Sequence, residues 1–118
     1  MMPRVLTIVV VGAVVAVSAS AAPPTTCGAG DAYSEALCAY QRRNFGDAEE
    51  RFRQLFDAGA EDPVTMRAAY FLARTLMKTG RYAEAADLLV RIYSLDKPFY
   101  DAWSCDFLLG ECRKALGK

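Results

Sequence analysis

The chain repeats itself at a fixed offset. Phe45 and Tyr82, Ala48 and Ala85, Leu72 and Leu109, Ala73 and Gly110, and Gly80 and Gly117 are each 37 positions apart. A period of that length, with small and aromatic residues returning to set places, belongs to stacked helical hairpins. One such unit cannot bury its own apolar face and must lean on its neighbour. An array built this way offers an extended surface for holding something, so the repeat inclines the chain towards binding.

With 118 residues there is room for one small domain. Lys+Arg and Asp+Glu balance at 14 each, which removes an electrostatic case for nucleic acid or for an anionic membrane. Histidine is absent, and with it the commonest general base and metal ligand. An enzyme, a bound metal and a cofactor are therefore not expected.

Residues 1–21 read as a segment apart from the fold. Met1-Met2-Pro3-Arg4 is a short basic start, residues 5–17 are uncharged and apolar, and Ser18-Ala19-Ser20-Ala21-Ala22-Pro23 supplies small residues. This is the layout of a secretory signal peptide, whose apolar core is about 7–15 residues long. A spanning helix needs about 20 apolar residues, so an uncleaved membrane anchor is the alternative rather than the preferred reading. Cleavage is expected after Ala19-Ser20-Ala21. Pro24-Thr25-Thr26-Cys27 lacks the aliphatic and small residues that precede a lipid-modified cysteine. The mature protein is expected in the periplasm or secreted, with no stable membrane insertion. Exported thiols usually end as disulfides, which bears on Cys27, Cys38, Cys105 and Cys112. Four cysteines allow three connectivities. None of the pairs has C-x-x-C spacing, so zinc and thioredoxin-type chemistry are not expected.

The spacing after residue 30 predicts helices throughout. Residues 22–30 form an extended lead-in, and residues 31–118 the repeat domain. Asp31 caps a helix over 31–43, which residues 44–47 break. A second helix over about 47–58 carries Ala48, Phe52, Leu55 and Phe56 on one face, with Gly59 as its stop. Asp62-Pro63 opens a third, because proline at the first helical position loses no needed hydrogen bond. It runs to about Thr79 with Ala69, Leu72, Ala73 and Leu76 inward. A fourth covers about 82–95, with Ala85, Leu88, Leu89 and Ile92 inward. Asp96-Lys97-Pro98 punctuates, and a fifth spans about 99–116. No strand is expected, since every apolar run keeps the 3–4 spacing.

These residues resemble the tetratricopeptide repeat. Its first-helix Leu-small pair, and its second-helix Gly-x-Tyr-x-x-Ala-x-x-x-Phe followed by Pro, are met most fully by Leu72-Ala73, Gly80, Tyr82, Ala85, Leu89 and Pro98. The preceding unit matches through Phe45, Ala48, Phe52 and Pro63, but has Arg43 in place of the glycine and Glu35 at the first leucine. The stretch from Leu109-Gly110 to Gly117 looks like a first helix without its second. The usual repeat is about 34 residues. In its longer period and closing helix the chain is similar to periplasmic members that work with the Tol–Pal envelope-constriction system, although it lacks their N-terminal coiled coil.

The resemblance implies an all-α, right-handed stack of antiparallel helical hairpins: two hairpins plus a final single helix. It implies a non-catalytic protein–protein interaction module. It also implies that Ala48, Ala73, Ala85 and Gly110 sit where helices approach closest. By register with the motif, the inner face carries Tyr33, Leu37, Tyr40, Gln41, Arg67, Tyr70, Arg74, Lys78, Glu111 and Lys114. Tyrosines beside Arg and Lys suit an acidic peptide or partner helix, because rings give contact area and cations pair with carboxylates. The competing reading has the tyrosines finishing the core and the cations solvating the face. Tyr33 and Tyr70 take the lysine place, and Leu37 the asparagine place, of the family's carboxylate clamp, so chaperone tails are not expected as ligands.

Cys38 and Cys112 occupy equivalent places, on the side that meets the preceding second helix in the motif. With no repeat before the first helix, a Cys27–Cys38 disulfide would fold the lead-in across that bare flank. Cys105 and Cys112 would lie about 10.5 Å apart on one helix at about 1.5 Å per residue, beyond the roughly 7 Å limit for a bridge. Either the helix begins near Asp106 and Cys105 folds back, or both are buried thiols. Asp47, Glu49, Glu50 and Asp57, interleaved with Arg51 and Arg53, read as a solvated face. Trp103 reads as closing the core in preference to anchoring a partner. An alternative function is homodimeric self-assembly through the unpaired last helix, using Phe107, Leu108 and Trp103 as an apolar patch.

A charged side chain at a crossing alanine would force a hairpin open. Ala85→Arg should cost several kcal/mol of a total of roughly 5–15 kcal/mol, measured by urea unfolding. A cost below about 1 kcal/mol would place Ala85 on the surface.

Overall fold

The computed structural model describes Cys27, residues 30–59 and residues 63–118. The expected signal peptide, most of the lead-in and the Asp62 cap lie outside the described residues. Among the described residues there are six helices and no strand: α1 (Ala32–Gln41), α2 (Phe45–Asp57), α3 (Pro63–Lys78), α4 (Tyr82–Leu95), α5 (Lys97–Ala102) and α6 (Cys105–Ala115).

Local chemistry sets most of the boundaries. The Asp31 carboxylate accepts from the Ser34 N–H at 2.8 Å and starts α1. Asn44 does the same for α2, accepting from the Asp47 N–H at 3.4 Å. Residues expected to break the chain are thus a cap and a first turn, and α2 starts two residues early. Between α1 and α2 the backbone turns left-handed at Arg43, φ 64°, and 37 positions on it does so at Gly80, φ 81°. A side chain in that region costs roughly 1–2 kcal/mol. Arg43 recovers a part, about 0.5–1 kcal/mol, by laying its guanidinium 5.4 Å from the Phe45 ring centre.

The expected fifth helix is two. Asp96 accepts from the Phe99 N–H at 3.1 Å and starts α5 early, while Ser104, φ 53°, turns left-handed and ends its run. The break gives the halves separate tasks. α5 sets Trp103 on Tyr70 of α3, ring centres 4.9 Å apart, and Tyr100 on Tyr93 of α4 at 5.1 Å. α6 then lies chiefly along α4.

Consecutive helices pack in antiparallel pairs, α1 on α2, α2 on α3, α3 on α4. Ala48, Ala73 and Ala85 are wholly buried at the crossings, and Phe52, Leu72, Leu76, Leu89 and Ile92 fill the space between them. Gly110 departs from the expected pattern. It is exposed, with nothing within 4 Å of where a Cβ would stand, because no helix among the described residues covers that side of α6.

A disulfide joins Cys27 to Cys38, Cα atoms 5.7 Å apart, and holds that point of the lead-in to α1. Cys105 and Cys112 are buried free thiols on α6. Burial, helped by the Asp106 charge, pushes the Cys105 thiol up to about 11. Burial and then the Glu111 charge raise that of Cys112 as well.

Two measurements check this description. Gly80→Ala, which forces a Cβ into a left-handed turn, should destabilise by about 1–2 kcal/mol. Gly46→Ala, in open space on α2, should stabilise by up to about 1 kcal/mol; equal signs in urea unfolding would contradict the assigned turns. Cys105 and Cys112 should resist an aromatic disulfide reagent at neutral pH and react once denaturant opens the fold, since only the thiolate attacks. Prompt reaction of the folded protein would show the thiols to be accessible.

Candidate functional site

The first helices of the hairpins, α1 and α3, meet through aromatic rings. Phe71 is the hub. Its ring centre lies 5.7 Å from Phe52 and from Tyr40, 5.1 Å from Tyr70, and 6.4 Å from Tyr33 and from Trp103. Tyr33, Tyr40 and Tyr70 are accordingly half-buried. The Tyr40 hydroxyl is buried and has no hydrogen-bond partner among the described residues. Burial raises the pKa of the Tyr33 phenol, and the Arg67 charge partly opposes the shift. Arg67 itself stands 6.0 Å from the Trp103 ring. Leu37 packs against the core, and Gln41 is exposed at the end of α1.

One turn beyond Tyr70 and Phe71, Arg74 enters this cluster. Its guanidinium carbon is 5.7 Å from the Tyr40 ring centre, 5.8 Å from Tyr70 and 5.9 Å from Phe71. Among the described residues it makes no ion pair. Three rings hold a cation well, because their negative faces attract it while excluding water from its flanks. The planar guanidinium keeps its N–H edge free for a carboxylate.

Arg74 also lines a cleft of about 650 Å³ between α3 and α6. Lys78 and Lys114 bring further positive charge to that cleft, Glu111 a single carboxylate, and Met77, Tyr82, Phe107 and Leu108 the apolar surface. The structure therefore gathers Arg74, Lys78, Glu111 and Lys114 into one cleft. It gathers Tyr33, Tyr40, Tyr70 and Arg67 into the adjoining ring cluster. Leu37 and Gln41 join neither.

The apolar patch expected on the outer flank of the last helix forms only in part. Phe107, 66% exposed, and half-buried Leu108 face the α3–α6 cleft, and Trp103 is stacked on Phe99 with ring centres 4.8 Å apart. The 3.6-residue turn of α6 sets Phe107 beside Glu111 and Lys114 and three residues from the open Gly110, so it borders both the cleft and the uncovered flank.

A larger cleft, about 810 Å³, opens where α3, α4 and α5 come together. Phe56, Met66, Phe99 and Trp103 line it, but its Arg67 and Arg91 are matched by Asp57 and Asp96, so it selects no charge. The acidic face of α2 is a set of exposed ion pairs: Arg51 with Asp47 at 2.9 Å, Arg53 with Glu49 at 3.1 Å, and Arg81 of α4 with Glu49 at 2.6 Å. The first two are local to one helix, and the third ties α2 to α4.

Phe71 and Phe107 are absent from the expected face although both are central to it. Phe71 had a visible sign, because Leu108 stands 37 positions later as its apolar counterpart. Phe107 had one as well, because its counterpart 37 positions earlier is Tyr70, itself on the expected face.

A family model described as tetratricopeptide repeat matches residues 33–98, from α1 to the start of α5. No curated protein and no solved structure matches the chain. The match spans more than half of the 118 residues and coincides with the two complete hairpins and their crossing alanines. The chain belongs to the tetratricopeptide repeat family.

Proposed function

We propose that this protein is an exported, non-catalytic interaction module that holds an acidic peptide or partner helix in the cleft between α3 and α6. The observation that carries the reading is Arg74, half-buried among three rings with no carboxylate partner among the described residues. A guanidinium already held in place loses little freedom when it binds, so more of each hydrogen bond appears as affinity. Lys78 and Lys114 extend the positive charge along the cleft, and Phe107 and Met77 offer an apolar side to the same ligand. Tetratricopeptide repeats generally mediate protein–protein contacts, which supports a protein partner over a small metabolite.

The proposal of export rests on the basic start, apolar run and small residues of 1–21. The Cys27–Cys38 disulfide fits an oxidising compartment. Among the described residues no helix is long and apolar enough to cross a membrane. The working protein then consists of the 22–30 lead-in and the 31–118 repeat domain.

Fluorescence anisotropy with a labelled Glu/Leu-rich peptide, beside a Lys/Leu-rich control, tests the cleft. The acidic peptide should bind preferentially and weaken with salt. Arg74→Glu should cost about 1.5–3 kcal/mol, or more than tenfold in Kd. Equal binding of both peptides, or unchanged binding by a folded Arg74→Glu variant, would overturn the proposal.

A further inference from the structure

The 37-residue period allows each flank of α2 to be compared with its counterpart on α4. On α2 the flank facing the next hairpin carries Glu49, Arg53 and Phe56. Glu49 is paired with Arg81 of α4 at 2.6 Å, and Phe56 is covered by the Arg91 guanidinium at 4.8 Å. The counterparts on α4 are Ala86, Val90 and Tyr93. Tyr93 meets Tyr100 of α5 on one side, yet Val90 and Tyr93 are each 47% exposed. A charged flank on α2 is thus replaced by an exposed apolar one on α4, which points to a surface that is covered in use.

The adjoining flank of α6 shows what covers it. Ala36 and Ala73 are wholly buried beneath their second helices, whereas Gly110, the third in that series, stands open. Asp106 lies one turn before Gly110 and Arg113 one turn after it, on the same side. Neither makes an ion pair among the described residues. Both lie near Tyr100 of α5: burial raises the pKa of its phenol, the Asp106 charge adds to the shift and the Arg113 charge opposes it. Tyr100 in turn touches Tyr93. The apolar and charged stripes thus meet at Tyr100, with Asp106 and Arg113 on one side of Gly110 and Phe107 and Lys114 of the proposed ligand cleft on the other.

We propose that this surface is a two-fold dimer interface occupied by a second copy of the same chain. Two α6 helices crossing antiparallel at Gly110 bring Asp106 of each copy to Arg113 of the other, because the two charges lie almost equally spaced about the glycine. A two-fold interface requires this self-complementarity, with each contact made twice. The missing Cβ permits close approach of the helices, and Val90 and Tyr93 lose water at the edges of the contact. An unrelated partner helix would have no reason to match charges spaced symmetrically about the open glycine.

Sedimentation velocity of the purified exported protein at micromolar concentration tests this. Wild type should sediment as a dimer. Asp106→Arg or Arg113→Asp alone places like charges together twice and should weaken dimerisation by about 100-fold or more. An equimolar mixture of the two folded single variants should restore the dimer, since each then supplies what the other lacks. Gly110→Leu, which meets nothing within the monomer, should give a folded monomer. A wild-type monomer at these concentrations, or a dimer that none of these changes affects, would overturn the proposal. The result is separable from the peptide measurement, because these residues lie outside the α3–α6 cleft.

Discussion

The close approach of helices at alanine is the constraint from which the rest follows. Ala36, Ala48, Ala73 and Ala85 are wholly buried, and each allows two helix backbones to come near enough for the flanking Phe52, Leu72 and Leu89 to interlock. Dense packing of that kind tolerates neither a void nor an extra methylene cheaply. It also fixes the relative position of α1, α3 and α6, and hence of every residue on the face they share. An aromatic cluster on such a frame is an extension of the core that reaches solvent on one side. Arg74 occupies that boundary, with rings behind it and a cleft in front.

The two readings of the tyrosines need not exclude one another. Tyr33, Tyr40 and Tyr70 do pack against Phe71 and Trp103 as a core would. In doing so they leave Arg74 held and uncompensated among the described residues. The division of labour is physical: rings provide rigidity at low conformational cost, and cations provide selectivity for charge. Charge balance then separates the two clefts. The larger matches its arginines with aspartates, while the smaller keeps Arg74, Lys78 and Lys114 against Glu111 alone.

Much of this was legible in the sequence, for reasons that can be named. The hairpins followed from the offset, because packing repeats whenever the small residues do. The cap at Asp31 was legible because its chemistry is local, whereas Asp96, read only as punctuation, caps α5 in the same way. The division of α5 from α6 was not. Ser104 adopts a left-handed conformation that its own preferences do not signal; tertiary contacts of Phe99, Tyr100 and Trp103 accompany it. Gly110 was misplaced for a related reason. The motif assigns it to a crossing, but a crossing needs a second helix, and none covers it among the described residues.

The central claim is that ligand binding belongs to the face shared by α1, α3 and α6. Backbone and arginine side-chain NMR spectra, followed as the acidic peptide is added, test it residue by residue. The account predicts that shifts concentrate at Arg74, Lys78, Phe107 and Lys114, with the Arg74 Nε–H moving most. Shifts centred instead on Arg67 and Arg91, or spread along the α2 ion pairs, would contradict it.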